Sequence, residues 1–226
     1  MKNLVLILLL CSALCLVASP VKANIYNYDY SLAADNTLTT SNSWAIVDTF
    51  DSEPPTGWTY TGNGTIREGS KEGRYAAPYN DLIMPEADIT KYFAVPEDIA
   101  DGATVDDLTA DVSFGGNEYN YLGLFWGSGD LYNSIEFYNG EMLVASYTGN
   151  QIFDPANGDQ LSSSTNKYVN FYLTQNFNMV RFISEGYAFE FDNLAVGTTY
   201  NTPVPGAVLL GLIGLGFAGR KLRKYA

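Results

Sequence analysis

The sequence predicts an all-β domain, an antiparallel β-sandwich of the jelly-roll type, and three observations lead to this prediction. Short segments alternate apolar and polar residues, as in Ile135-Glu136-Phe137, where the two apolar side chains face one side. This period of two is typical of strands with one buried face. Asn139-Gly140 between two such segments is typical of a hairpin closed by a type I′ turn. No long helical period appears outside the two ends of the chain.

Nine segments rich in β-branched and aromatic residues are predicted as strands. They are 44–50, 57–66, 104–114, 119–126, 134–138, 142–147, 168–173, 178–184 and 187–196. Tyr26, Tyr28 and Tyr30 alternate ahead of them, in a pattern that suits either an edge strand or an adhesive face. Frequent turns between so many short strands favour one sandwich domain spanning residues 24–200.

The N-terminal segment has the three parts of a secretory signal peptide. Lys2 supplies the basic start, residues 4–17 form an apolar run, and Val21-Lys22-Ala23 places small residues at the cleavage positions. We therefore predict a signal peptide over residues 1–23, cut by signal peptidase between Ala23 and Asn24. The alternative is a membrane anchor that is retained. Either way, the domain is predicted to lie outside the membrane.

The composition of the central domain excludes several classes of function. All 25 acidic residues and only six basic ones lie in residues 24–200, which gives this region a net charge of −19. Such a surface repels phosphate backbones, so nucleic acid is excluded as a partner. The chain has no histidine, and its only cysteines, Cys11 and Cys15, lie in the predicted signal peptide. Catalysis by Ser-His or Cys-His pairs and zinc sites with histidine ligands are therefore excluded.

The last 26 residues, 201–226, differ abruptly in composition from the domain. Pro203-Val204-Pro205-Gly206 precedes a glycine-rich apolar run over 207–219, and a basic cluster over 220–224 follows it. The run is just long enough to predict a short transmembrane helix. The basic residues of the cluster place the C-terminus in the cytoplasm by the positive-inside rule; they are Arg220, Lys221, Arg223 and Lys224. The alternative is a helix packed into the core of the domain.

This tail resembles the C-terminal sorting signal of exosortase-dependent proteins, the PEP-CTERM group. Those signals have a short Pro-x-Pro motif, a brief helix rich in Gly, Leu and Ala, and a final basic cluster. Pro203-Val204-Pro205 stands at the position of the motif, with Val204 where the type motif has glutamate. The resemblance implies an exosortase-type membrane enzyme as a processing partner. It also implies display on the cell surface or in the extracellular matrix.

Two further segments are similar to a family of exosortase-dependent bacterial surface proteins that combine a β domain with such a tail. One joins Gly73-Arg74-Tyr75-Ala76-Ala77-Pro78 to residues 89–95, and the other covers residues 121–140. The closing run over 191–196 is also common in the last strand of jelly-roll modules ahead of such tails. The family has no established catalytic residues, so this resemblance implies a location and no chemistry.

The most distinctive loop candidate is the glycine-rich segment over 126–133. Trp126 and Tyr132 can stack on a sugar face, while Asp130 and Asn133 can form hydrogen bonds with its hydroxyl groups. The alternative interpretation is a strand connection whose aromatic side chains fill the core. This segment is the predicted ligand-binding site if the domain binds a glycan.

Carboxylates are the other candidate functional groups. Two acids suffice for glycoside hydrolysis without histidine, and the strand-borne candidates are Glu136, Glu141, Glu190 and Asp192. The alternative is a solvated acidic face. Calcium needs only oxygen ligands, which makes a structural calcium ion a further hypothesis; its candidate ligands are Asp98, Asp101, Asp106, Asp107 and Asp192. No EF-hand spacing occurs in the sequence.

These observations predict an exported, non-enzymatic surface or matrix protein whose domain associates with exopolysaccharide or with neighbouring surface proteins. No cofactor beyond the candidate calcium ion is expected. A carbohydrate-binding module without a matrix role is the first alternative. A glycoside hydrolase or lyase that uses carboxylates is the second.

Overall fold

A computed structural model describes residues 28–34, 37–84 and 86–199. The predicted signal peptide, its cleavage site and the predicted sorting tail lie outside these residues. The described part contains twelve β-strands, a four-residue 3₁₀-helix over Val105–Leu108 and one short α-helix, α1 (Gly149–Ile152). The strands are β1 (Tyr28–Leu32), β2 (Ile46–Asp48), β3 (Thr59–Gly62), β4 (Thr65–Glu68), β5 (Lys91–Val95), β6 (Thr109–Ser113), β7 (Tyr119–Gly127), β8 (Asn133–Asn139), β9 (Met142–Thr148), β10 (Lys167–Phe177), β11 (Met179–Ser184) and β12 (Phe189–Gly197).

The strands form two antiparallel sheets. The seven-stranded sheet has the order β1-β10-β7-β12-β5-β4, with β2 paired to β12 as well. The five-stranded sheet has the order β3-β6-β11-β8-β9. The two sheets pack face to face through their apolar faces, so the predicted all-β sandwich of antiparallel strands is confirmed. No helix within the described ranges is both long and apolar enough to span a membrane.

Aromatic side chains from both sheets fill the space between them. Phe182 of β11 stacks on Phe191 of β12 with 4.1 Å between the ring centroids. Phe137 of β8 meets Phe171 of β10 at 5.3 Å. Because these pairs join the two sheets, they hold the sandwich together through ring packing as well as through burial of apolar area.

Two of the strand predictions differ from the structure for local reasons. The segment 57–66 was predicted as one strand, but it forms β3 and β4, which lie in different sheets. The chain changes sheets after Gly62, whose φ of 88° favours glycine. A Cβ on Gly64 would lie 2.5 Å from a ring carbon of Phe93, so the turn packs directly on the core. The start of 104–114 forms the 3₁₀-helix instead of a strand.

Strand β5 was not predicted, because Tyr92, Phe93, Ala94 and Val95 are all buried and show no alternation. This continuous apolar run reflects burial on both faces, since Phe93 and Val95 pack in the main core while Tyr92 and Ala94 pack against Ala77 on the other side. Strand β1 is an edge strand paired with β10, which agrees with the edge-strand interpretation of Tyr30. The hydroxyl of Tyr30 donates a hydrogen bond of 2.5 Å to the carbonyl oxygen of Gln151.

The predicted hairpin between β8 and β9 forms, but its turn differs from the prediction. Asn139 pairs with Met142, so the turn residues are Gly140 and Glu141. Only Gly140 has a positive φ, of 60°, whereas a type I′ turn needs positive φ at both central residues. The type I′ prediction was therefore wrong, and the glycine stands at the first central position instead.

The strand order places four connections at one end of the sandwich. These are the connections after β5, β7, β9 and β11, over residues 96–108, 128–132, 149–166 and 185–188. We call this group of connections the loop end. The β8–β9 turn lies at the opposite end, since neighbouring antiparallel strands alternate in direction.

Candidate functional site

Backbone hydrogen bonds hold the loop end together. The Gly129 N–H donates to the Thr165 carbonyl oxygen at 2.8 Å, and the Gly158 N–H donates to the Gly129 carbonyl oxygen at 3.2 Å. The Glu185 N–H donates to the Tyr132 carbonyl oxygen at 3.3 Å. Three connections that are distant in sequence therefore form one surface.

This surface encloses a small polar cavity of about 190 Å³. We call it the loop-end cavity, and the lining side chains used below are Arg74, Ser128, Asp130, Tyr132, Tyr187 and Glu190. They come from two connections, from strand β12 and from the β4–β5 segment (residues 69–90), so the cavity exists only when the sandwich is folded. Concave sites with a few converging polar groups are the usual place for ligands.

Glu190 lies at the cavity wall and is almost completely buried, with 1% of its surface exposed. Its Oε1 accepts a hydrogen bond of 2.7 Å from the Ala76 N–H, and its Oε2 accepts one of 2.6 Å from Ser128 Oγ. Burial nevertheless raises the pKa of Glu190 to about 8, because neither partner carries a charge. The carboxyl group is therefore largely protonated at neutral pH.

Asp130 shares the cavity with Glu190 and is half-buried. Burial raises the pKa of its carboxyl group above the ordinary value, and a hydrogen bond with Tyr132 acts in the opposite direction. A Cβ on Gly158 would lie 2.4 Å from both carboxylate oxygens, so glycine is needed there for the two loops to meet. The two acids in this cavity thus come from a connection and from strand β12, and burial raises the pKa of both.

Ser128 has a strained backbone conformation beside the two acids. Its φ of 43° is rare for a residue with a side chain. The Ser128 N–H donates to Asn166 Oδ1 at 2.8 Å, which holds this conformation while Ser128 Oγ reaches Glu190. Strain of this kind is often found at functional sites, and Ser128 is the one of three such residues in the described chain, with Phe50 and Asn193, that lines the cavity.

Tyr132 and Tyr187 form the aromatic part of the cavity. The Tyr132 hydroxyl donates a hydrogen bond of 2.9 Å to the Tyr187 carbonyl oxygen. Burial raises the pKa of Tyr132 well above its ordinary value, so this phenol stays neutral and can serve as a hydrogen-bond donor or acceptor. The exposed wall of the cavity is almost entirely polar, so these tyrosines contribute their polar edges and not their ring faces.

A larger open groove of about 940 Å³ adjoins the loop-end cavity, and Arg74 lines both. Arg74 forms an ion pair with Asp98, and it donates to the Tyr187 hydroxyl at 2.8 Å. The Tyr187 hydroxyl in turn donates to Asp98 at 2.7 Å. The hydrogen bonds from Tyr187 and Arg74 lower the pKa of Asp98. At the boundary between the groove and the loop-end cavity, the positive charge of Arg74 is therefore already balanced by Asp98.

The structure separates the four predicted ligand-binding residues into two pairs. Asp130 and Tyr132 line the cavity. Trp126 is completely buried and stacks on Phe189 at 4.2 Å between ring centroids, so its indole fills the core. Asn133 is also buried, and it accepts a hydrogen bond of 2.6 Å from Ser184 Oγ. Trp126 therefore agrees with the alternative interpretation, in which the aromatic side chains of this loop fill the core, whereas Tyr132 does not. Asn133 is not among the side chains that line the cavity.

The four strand-borne acids do not form one site. Glu136 lies on β8 and accepts a hydrogen bond of 2.5 Å from the Tyr138 hydroxyl, while Glu141 is exposed in the hairpin turn. Asp192 is buried on β12, where burial and repulsion from Asp88 raise its pKa to about 8. Only Glu190 reaches the cavity, and its acidic neighbour there is Asp130.

Three of the five candidate calcium ligands have other partners in the structure, and the remaining two, Asp101 and Asp106, line the open groove. Asp98 binds Arg74, and Asp107 accepts hydrogen bonds of 2.8 Å from the N–H and the hydroxyl of Thr104. Asp192 accepts hydrogen bonds of 2.6 Å and 2.9 Å from Asn193. Across residues 28–34, 37–84 and 86–199, no three acidic, histidine or cysteine side chains converge in an arrangement that could hold a metal ion.

The sequence did not identify Glu190 as a cavity residue, and it gave no role to Ser128 or Arg74, although Ser128 lies in the predicted segment 126–133. The Gly-Ser-Gly run gave a local signal for a tight connection at Ser128, but the partners of this residue lie 38 and 62 positions away along the chain. Comparison of the chain with protein-family models, with curated proteins and with solved structures finds no match. The function therefore rests on the sequence and on the geometry of the domain.

Proposed function

We propose that this chain is an exported surface or extracellular-matrix protein whose sandwich domain binds polysaccharide without catalysis. The observation that carries the proposal is the loop-end cavity, where Asp130, the Tyr132 hydroxyl and the amides of Asn157 and Gln160 present hydrogen-bonding groups together. Hydroxyl-rich ligands suit such a wall, because each sugar hydroxyl can both donate and accept a hydrogen bond.

The strand order supports a jelly roll for this domain. Within the larger sheet, β5-β12-β7-β10 are neighbours, and within the smaller sheet, β6-β11-β8-β9 are neighbours. Eight strands that alternate between two sheets in this order form the two Greek keys of a jelly roll. We infer that β1 to β4 are additions at the edges of this eight-stranded core. Jelly rolls are frequent in lectin domains.

The two ends of the sequence support export and sorting. Residues 1–23 have the pattern of a signal peptide, and residues 201–226 resemble a PEP-CTERM signal. On this proposal, signal peptidase cuts after Ala23, and an exosortase-type enzyme acts on the tail at the Pro203-Val204-Pro205-Gly206 motif. The tail anchors the domain to the membrane at least transiently, with the C-terminus in the cytoplasm.

Mass spectrometry of the intact protein from native cells and their medium tests this sorting pathway. We expect a chain that begins at Asn24 and ends within residues 203–205. A chain that begins at Asn24 and still carries the basic cluster over 220–224 would mean a simple membrane anchor, and the exosortase part of the proposal would be wrong.

Titration of the purified protein with oligosaccharides of neutral, acidic and amino sugars tests the binding function. We expect at least one oligosaccharide to bind, and Asp130→Asn to weaken that binding about tenfold, since it removes a hydrogen bond to a charged group. Glu141→Gln is the matched control, because it removes one negative charge at the opposite end of the sandwich. The proposal fails if no oligosaccharide binds, or if both variants weaken binding equally.

A glycosidase or lyase is the second candidate function, and one observation favours it. Asp130 and Glu190 share a cavity, and the raised pKa of Glu190, about 8, suits a general acid. Turnover of a polysaccharide panel, measured as the release of reducing ends or of unsaturated products, separates the two functions. Activity that is lost in Glu190→Gln and kept in Glu136→Gln would establish an enzyme. Absence of turnover on substrates that bind is the expected result.

A further inference from the structure

The two carboxyl groups of the loop-end cavity are not paired with a free cation. Asp130 and Glu190 both line it, and Arg74 is the one basic side chain among its described lining residues. The guanidinium of Arg74 is already engaged by Asp98. A ligand that enters the cavity therefore meets two carboxyl groups that have only neutral or shared partners.

Glu190 has only neutral hydrogen-bond partners. Each of its two oxygens accepts from a neutral donor, the Ala76 N–H or Ser128 Oγ, although the side chain is buried. A buried carboxyl group is usually paired with a cation or carries a proton. Burial raises the pKa of both Glu190 and Asp130, and a bound cation would offset the cost of ionising them.

The shape and the wall of the cavity limit which cation fits. A volume of about 190 Å³ is small compared with the cavities that bind drug-sized ligands, so it suits part of one sugar ring. Gln160 and Asn157 add amide groups at the rim, which can form hydrogen bonds with ring hydroxyl groups beside the cation. A primary ammonium on a sugar ring satisfies both the carboxyl groups and this polar rim.

The rest of the domain favours a polycation at long range. Residues 24–200 carry a net charge of −19, so a polymer with many amino groups is attracted toward the domain before it docks. An anionic polysaccharide, by contrast, is repelled by the same field.

We propose that the loop-end cavity binds the free amino group of hexosamine residues in a partly or fully de-N-acetylated polysaccharide. This inference rests on the proposed polysaccharide-binding function and names the class of its ligand. The ammonium lies between the carboxyl groups of Asp130 and Glu190, and the ring hydroxyl groups form hydrogen bonds with the amides of Asn157 and Gln160.

Calorimetric titration of the purified full chain with β-1,4-linked glucosamine tetramer and with N-acetylglucosamine tetramer tests this inference. The two ligands differ only in the acetyl groups that remove the positive charges. At 150 mM salt, which screens the diffuse field of the domain, we expect the glucosamine tetramer to bind about tenfold more tightly or better. We expect Asp130→Asn or Glu190→Gln to remove this preference, while Glu141→Gln keeps it.

The outcomes separate this inference from the proposed function. If a neutral oligosaccharide binds as tightly as the glucosamine tetramer and still depends on Asp130, the polysaccharide function stands and the amine preference is wrong. If no oligosaccharide binds, both are wrong. A lysine tetrapeptide that binds as tightly as the glucosamine tetramer would also overturn the inference, because the cavity would then recognise amines without a sugar. If Glu141→Gln loses the preference for the glucosamine tetramer to the same extent, diffuse electrostatic attraction explains the binding and the cavity is not a specific site.

Discussion

Replacing Trp126 with alanine is expected to lower the free energy of unfolding by about 3–5 kcal/mol, the range measured for large aromatic residues in cores. The indole is completely buried between two aromatic neighbours. It stacks on Phe189 at 4.2 Å and meets Phe153 edge-on at 5.3 Å, measured between ring centroids. The alanine variant loses these contacts and leaves a cavity at the end of β7, directly beneath the loop end.

Urea unfolding of the two proteins, followed by circular dichroism, measures this loss. Trp44→Ala is the matched control, since it removes the same side chain from a position that is 46% exposed. Trp44 contacts Tyr121 edge-on at 5.0 Å, so we expect a smaller loss, about 1 kcal/mol. Equal stability of the Trp126→Ala variant and the unmodified protein would contradict the placement of the indole in the core.

This prediction changes how a binding experiment on Trp126 should be interpreted. From the sequence, loss of glycan binding in Trp126→Ala would locate the ligand on the indole. In the structure, the same loss would follow from disruption of the loop end, because β7 leads directly into Ser128 and Asp130. Asp130→Asn is the cleaner probe, since it changes the cavity and leaves the core intact.

The sequence predicted most of the fold, because a period of two and the turn residues are local signals. The alternation in β8 and the glycine of the β8–β9 turn both lie within a few residues of the structure they specify. The exceptions also have physical causes. β5 is covered on both faces and therefore lacks alternation, and the break between β3 and β4 depends on the packing of Gly64 against Phe93. Neither cause is visible in a short window of sequence.

The candidate site was predicted only in part, because it is built from residues far apart in the chain. Asp130 and Tyr132 are neighbours in one glycine-rich connection, so composition alone could identify them. Glu190 was predicted from the alternation of β12 as a solvated acid or a strand-borne catalytic acid. Its burial depends on Ala76, which lies 114 positions away and covers it. That long-range contact has no signature in a single sequence.

On β12, the alternation of apolar and polar residues predicted a solvent-exposed face that the structure does not have. The pattern Phe189-Glu190-Phe191-Asp192 indicates one buried face and one polar face, and the two phenylalanines are indeed buried in the core. Both acids are buried as well, since the β4–β5 segment covers the outer face of the sheet at this point. The polar face of β12 is thus internal, and this explains why two carboxyl groups there have strongly raised pKa values.

The second large effect is expected from pH: the domain should lose stability as the pH rises from about 5 to about 8. Burial raises the pKa of Glu190 from 4.5 to about 8 and that of Asp192 from 3.8 to about 8. Between these limits the folded domain holds two protons that the unfolded chain releases. Stability therefore falls with pH, by about 1.4 kcal/mol for each pH unit and each fully titrating group.

Groups with the opposite shift do not cancel this effect in the same range. Hydrogen bonds lower the pKa of Asp98 and of Asp107 below the ordinary 3.8. Their contribution is complete above that ordinary value and is lost only as the pH falls below it. Loss of their contribution therefore destabilises the domain in acid, and the interval from pH 5.5 to pH 8.5 is left to the acids whose pKa burial raises. Glu190 and Asp192 have the large shifts, and Asp130 shifts in the same direction.

Urea unfolding at pH 5.5, 7.0 and 8.5 measures the expected decline, and Glu190→Gln assigns it. Glutamine keeps the acceptor for the Ala76 N–H and can donate to Ser128 Oγ, so it mimics the protonated acid at every pH. This variant should show about half of the decline, whereas Glu136→Gln should show all of it. A stability that rises over this interval would contradict the burial of both acids. A Glu190→Gln variant with the full decline would assign the effect to Asp192 and to the general repulsion among the 25 acidic residues.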